Sequence, residues 1–352
     1  MQLYDIARPL FFMLPAETAH HTVHWVLRLV QATPIQGALA SRYVVQDDRL
    51  ESEVFDCEFP NPVGVAAGFD KNARIPPALA ALGFGFVEVG GVTAEPQSGN
   101  PRPRMFRLEA DRALVNRMGL NNDGAEVVGD RLARTGPATD LPVGVNVAKT
   151  ETVGEAEAPA DYRETYEAVA AGADFVVVNV SCPNSQGFED LQNRESMAAI
   201  LQALQAAGAA PLLVKLSPDL PEPALDDAVD LVTDLGLDGI VAVNTTTSRP
   251  DSLHSPDRDE EGGLSGEPLE PRATEVVRFV ARRTDVPVVG VGGVSSAADA
   301  YEKIRAGASL VQLYTGLVYE GPALAREINR GLVALLERDG FDSVEDAVGA
   351  DL

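Results

Sequence analysis

Lysine is the scarcest charged residue in this 352-residue chain, with only Lys71, Lys149, Lys215 and Lys303. Set against 53 acidic residues, the 28 basic ones leave a formal net charge of −25, which argues against nucleic-acid binding by phosphate neutralisation. So acidic a composition points to a high-salt cytoplasm, where a Debye length of about 3 Å at 1 M salt makes self-repulsion tolerable. Cysteine is nearly absent. Cys57 and Cys182 lie far apart and show no ligand spacing, so neither a disulfide framework nor a metal site is expected. No stretch approaches the roughly 18 apolar residues of a spanning helix, and the start of the chain lacks a basic segment, apolar core and cleavage site. An intracellular protein without a membrane span is the expectation.

What the sequence does contain is an alternation. Short β-branched apolar runs at 63–67, 86–90, 143–147, 175–180, 212–216, 239–243, 286–291 and 309–314 alternate with helical patterns near 73–82, 123–134, 161–171, 189–207, 222–235, 270–283, 297–306 and 321–337. Eight such units predict an all-parallel sheet covered by helices and closed into a TIM (β/α)8 barrel. A doubly wound open sheet is the alternative. Polar clusters at the end of nearly every strand favour the barrel, because an open sheet gathers them at one switch point.

Before the barrel, Leu3, Ile6, Leu10 and Leu14, then Ala19, Val23, Leu27 and Val30 after Pro15, predict a two-helix extension. Pro9 sets the expected start of the first helix near Arg8. Phe11, Phe12, Met13 and Trp25 suit an interfacial hairpin, whereas simple packing on the barrel is the plainer reading. His20, His21 and His24 have no acidic ligand beside them and are read as surface or packing residues.

Chemistry-bearing residues fall at strand ends. The first ends in Ala66-Ala67-Gly68-Phe69-Asp70-Lys71, the third carries Asn146 and Lys149, the fifth Lys215, and the sixth Asn244-Thr245-Thr246. Converging amides and lysines suit a planar heterocycle rich in donors and acceptors. Glycine-rich segments at 262–266 and 290–293, with Tyr314-Thr315-Gly316, match the usual phosphate site of such barrels. After the fourth strand comes Asn179-Val180-Ser181-Cys182-Pro183-Asn184, where a cysteine past the apolar run can act as a proton acceptor.

In combination, this cysteine segment, the Ala-Gly-Phe-Asp-Lys turn, Asn116-Arg117-Met118-Gly119, Asn244-Thr245-Thr246, Gly-Gly-Leu-Ser-Gly and Gly-Val-Gly-Gly resemble the dihydroorotate dehydrogenases, in order over residues 1 to 335. The extension is similar to that of the membrane-associated, quinone-using class, where it lines a quinone tunnel. The resemblance implies residues 1–45 as a membrane and quinone extension and 46–352 as the catalytic barrel, working in pyrimidine biosynthesis as a peripheral monomer on the cytoplasmic side of the cell membrane.

It further implies FMN held by Ala67, Gly68, Lys71, Gly91, Asn146, Asn179, Lys215, Val243, Gly266, Gly293, Tyr314 and Thr315. Lys71 would also meet the carboxylate of dihydroorotate or orotate; Asn116, Arg117, Met118, Gly119, Leu120, Asn179, Asn184, Asn244 and Thr245 would hold the ring, and Arg107 would lie near the quinone path. Cys182 stands where the quinone class usually has serine, and Gly91 and Val243 stand where threonine is common. Fumarate or NAD as acceptor therefore stays open beside quinone, and a non-redox barrel enzyme binding a phosphorylated substrate is the reading from another class.

Overall fold

The computed structural model describes residues 3–135, 139, 141–180 and 193–352. Eight parallel strands close a barrel in the order β3 (Val63–Val65), β4 (Phe86–Val92), β7 (Val143–Val147), β8 (Phe175–Asn179), β9 (Leu212–Leu216), β10 (Gly239–Ala242), β12 (Val288–Val291) and β13 (Ala308–Leu313), which pairs back to β3. Each matches one of the eight apolar runs. The helices outside it include α4 (Pro76–Ala81), α9 (Glu270–Ala281), α10 (Ala297–Arg305) and α12 (Leu324–Asp339), and they bury their apolar stripes against the outward-facing strand residues.

Inside the barrel the two-residue period of a strand builds layers. Phe86 and Phe175 fill the lower layer with Val177, Leu213, Val241, Val289 and Leu310. Room for the rings comes from Gly64 and Gly144, where an added Cβ would stand 2.4 Å from Phe86 and 2.2 Å from Phe175. Below them the hairpin of β1 (Ser52–Val54) and β2 (Cys57–Phe59) supplies Phe59, edge-on to Phe86 at 5.3 Å, as a floor plug. Two residues further up each strand the interior turns polar: Glu88 above Phe86, Asn146 above Gly144, Asn179 above Val177, Lys215 above Leu213 and Gln312 above Leu310. That polar layer lies at the carboxyl ends of the strands, the face on which such barrels do chemistry.

Two features depart from the sequence reading. The extension has three helices, α1 (Leu3–Phe12), α2 (Ala16–Gln31) and α3 (Ile35–Tyr43), not two. The third buries none of its residues, so it has no apolar stripe to read. Pro9 lies inside α1 instead of marking its start; the one hydrogen bond it forfeits is offset by anchors to α11 (Thr315–Glu320), where Tyr4 Oη donates to Val318 O at 2.6 Å and Arg8 Nη1 to Tyr319 O at 3.0 Å. The second departure is a three-stranded antiparallel sheet of β5 (Met105–Leu108), β6 (Ala113–Asn116) and β11 (Gly263–Gly266). Its strands are short and lie in loops between barrel units, which hid them from a search for barrel strands.

Candidate active site

Above the polar layer opens a cleft between the strand ends, the β5-β6-β11 sheet and α11. Gly68 turns the chain off β3 at φ +92°, a left-handed conformation that favours glycine, and brings the backbone alongside Lys71 Nζ. Ala67, Lys71 and Gly91 line that side. The opposite wall is glycine again: Gly293, at φ +77°, has no room for a side chain, because its Cβ would fall 2.2 Å from Glu270 Cβ. Beside it Gly266, Tyr314 and Thr315 close the cradle, with Ser265 Oγ 2.8 Å from Thr315 Oγ1.

The floor belongs to Asn179, Lys215, Val243, Asn244 and Thr245, and the roof to Asn116, Met118, Gly119 and Leu120. Two residues expected in the cleft stand elsewhere, and Arg107, expected outside it, lies at the extension. Asn146 lies one layer down, fully buried, donating to Glu88 Oε1 at 2.7 Å and accepting from Asn179 Nδ2 at 3.1 Å. Arg117 turns away from the cleft, its guanidinium 2.7 Å from Glu260 and over the Phe106 ring at 4.6 Å. Arg107 reaches the extension, donating to Phe11 O at 3.2 Å and Phe12 O at 2.9 Å at the end of α1. Cys182 and Asn184 lie outside the described residues.

Gly91 leaves little room for a side chain. A Cβ there would lie 3.0 Å from Leu120 Cδ2 and 3.1 Å from Asn146 Oδ1, tighter than a side chain is normally accommodated. Of the four lysines, Lys71 and Lys215 face the cleft. The other two are structural: Lys149 donates to Thr150 O and Val153 O within its own loop, and Lys303 is buried against Thr274 Oγ1 at 2.6 Å. Burial holds the Lys303 ammonium below its ordinary value, although Glu270 works in the opposite direction.

Behind Tyr314 on the cleft wall lies an aromatic cluster. His20 and His24 on α2 sit 4.3 Å apart between ring centroids and pack on Phe69 at 5.4 and 5.2 Å; His20 also lies parallel to Tyr314 at 6.5 Å. Burial, then the neighbouring His24, His21 and Lys71, hold His20 well below its ordinary pKa. Packing residues they are, as expected, against Phe69 and Tyr314.

A family model described as dihydroorotate dehydrogenase matches residues 49–336. The chain belongs to the dihydroorotate dehydrogenase family. It is 70% identical over its full length to the dihydroorotate dehydrogenase (quinone) of Haloarcula marismortui and 63% identical to that of Natronomonas pharaonis, covering 100% of both. Among solved structures it is similar to the DHODH of Eimeria tenella in complex with ferulenol, with 37% identity, 95% of each chain covered and a TM-score of 0.89. Within this dihydroorotate dehydrogenase fold, sequence reasoning had missed Glu88 and Gln312. Their signal was present: a charged and an amide side chain at interior positions of otherwise apolar strands.

Proposed function

We propose that the chain is a quinone-reducing dihydroorotate dehydrogenase that oxidises (S)-dihydroorotate to orotate in pyrimidine biosynthesis with FMN as its cofactor. The observation that carries this is one cleft holding two lysines, a layer of amides and a glycine cradle, beside an extension whose outer face is apolar. The residues suit FMN. Gly266 and Gly293 leave a side-chain-free cradle for a phosphate, Lys71 and Lys215 bring positive charge to the ring, and Gln312 Oε1, buried on the cleft wall without a partner among the described residues, offers an acceptor. Bound there, FMN supplies the two-electron acceptor for the substrate.

The chain's own groups do the rest. Lys71 binds the substrate carboxylate; Asn116, Asn179, Asn244 and Thr245 orient the ring; Cys182 takes the proton from C5. Quinone approaches between α1 and α2, past Phe69, Tyr314 and His20, with Arg107 at the end of α1.

The extension carries the membrane part of the reading. Among the described residues, nine of the eleven exposed large hydrophobic side chains lie within the first 45 positions, including Leu10, Met13 and Trp25 at 67%, 81% and 61% exposure. Residues 1–45 hold three arginines against two acids, whereas the chain as a whole carries −25. Among the described residues no helix is long and apolar enough to cross a membrane. An apolar, nearly neutral face on an acidic body suits peripheral attachment of a monomer at the cytoplasmic surface. Orotate production with quinone, fumarate and NAD offered separately tests the acceptor. Turnover with quinone alone is expected; faster turnover with fumarate or NAD would replace it.

A further inference from the structure

The polar layer has a root. Glu88 stands fully buried in mid-β4 and does not itself line the cleft. A carboxylate only accepts. Three donors converge on it: Asn146 Nδ2 at 2.7 Å and Lys215 Nζ at 3.5 Å on Oε1, and Gln312 Nε2 at 2.7 Å on Oε2.

An amide has a donor end and an acceptor end, so committing one fixes the other. With its nitrogen on Glu88, Asn146 can show its neighbour only oxygen, which accepts from Asn179 Nδ2 at 3.1 Å. Asn179 in turn presents Oδ1 to Asn244 Nδ2 at 3.4 Å, and Asn244 Oδ1 accepts from the Thr245 N–H at 2.8 Å. The second arm obeys the same rule: because Gln312 gives its nitrogen to Glu88, its oxygen is turned away from the carboxylate, on the cleft wall.

We propose that Glu88 is a positioning residue that sets the donor–acceptor direction of Asn146, Asn179, Asn244 and Gln312, and so the hydrogen-bond face that the site offers to a planar heterocycle. The inference rests on the reading of this cleft as the FMN and orotate site. A glutamine at the same place has one oxygen for two arms: with that oxygen held by Asn146 and Lys215, its nitrogen faces Gln312, whose amide must reverse. One arm of the network then runs the wrong way, and only the original direction of both matches the ring edge.

The test uses the FMN-loaded full-length protein. Orotate is titrated while the flavin absorption band is followed, giving its dissociation constant, and the flavin-to-protein ratio is measured in every sample. Glu88→Gln, which keeps volume and shape, is expected to retain FMN but to bind orotate about tenfold more weakly, the equivalent of about 1.4 kcal/mol. The double exchange Glu88→Gln with Gln312→Glu moves the acceptor to β13. The amide at position 88 must then donate to it and turn its oxygen to Asn146, which restores the original direction.

Binding within about threefold of the wild type is the expected result for that double variant, which a loss of packing or of stability alone would not produce. Unchanged orotate binding in Glu88→Gln, or a double variant no better than the single one, would overturn the inference. If the single variant does not accumulate folded, the double variant decides by the same threefold margin. A wild-type holoenzyme that gives no flavin response to orotate would overturn the site reading and the inference with it; a wild-type response beside an unchanged Glu88→Gln variant would overturn the inference only.

Discussion

Glu17 ties the extension to the barrel, and its removal should separate the two half-reactions. Its carboxylate accepts from Arg104 Nη2 at 2.8 Å and Nε at 3.2 Å and lies 3.0 Å from Arg102. The Glu17 and Arg104 side chains are 10% and 6% exposed. Breaking a buried pair by deleting one partner costs about 3–5 kcal/mol, because the other charge is left uncompensated. In Glu17→Ala, however, Arg104 keeps Ser98 O at 2.7 Å and Asn100 O at 3.0 Å. The cost should therefore fall to about 2–3 kcal/mol, which shifts docking of the extension by about 30- to 150-fold.

Reduction of quinone and of a water-soluble dye, compared in one preparation, would show it: quinone turnover falls while dye turnover holds, and proteolysis near residues 32–34 accelerates. A quinone-to-dye ratio within twofold of the wild type would refute the reasoning. An acid arm follows. Burial pushes the Glu17 carboxyl up, but Arg104 and Arg102 outweigh it and hold it below its ordinary 4.5. With the folded value depressed, the stabilisation is complete above about pH 4.5 and is lost as pH falls through the folded value. Acid should thus release the extension in the wild type and add nothing in the variant.

Other expectations concern the cleft. Cys182→Ala should keep FMN yet slow flavin reduction by substrate about 10²- to 10⁴-fold in stopped flow, whereas near-normal reduction would remove the cysteine from the chemistry. Gly91→Thr, placed against Leu120 and Asn146, should destabilise by about 1–3 kcal/mol and weaken FMN retention, read by melting and by released flavin fluorescence. His20 has a folded pKa below its ordinary 6.5, so the unfolded chain takes up the proton first and stability drops as pH falls below about 6.5. Melting of His20→Gln should lose that part of the pH dependence, and identical profiles would refute the assignment.

The barrel was legible because each strand is a short apolar run flanked by a helix-period segment. Lys71 and several glycines of the cleft were legible because they fall just past those runs, and Lys215 because it is the one charge inside its run. Other features follow no such pattern. Gln312 and Glu88 are single polar residues within apolar strands, and their roles appear only when closure lines up β13, β3, β4 and β7 in that order. His20 looks like any residue of an amphipathic helix until α2 lies across Phe69 and Tyr314. Arg117 adjoins Asn116 in sequence yet points to Glu260, because neighbours at a strand's end face opposite sides.

The small sheet of β5, β6 and β11 bears on how acceptor choice could be transplanted between relatives. Met105 pairs with Asn116 and Arg107 with Leu114, so one face carries Asn116, Met105 and Leu114 at the cleft and, one step along, Arg107 at the carbonyls of α1. Phe106, Leu108 and Val115 fill the reverse face. An insertion of one residue in β5 would exchange the two faces and disturb the cleft wall and the α1 contact together, whereas an insertion of two would restore them. A chimera that borrows only the first 45 residues inherits a docking partner without its dock: the portable unit is the extension together with β5, β6 and α11.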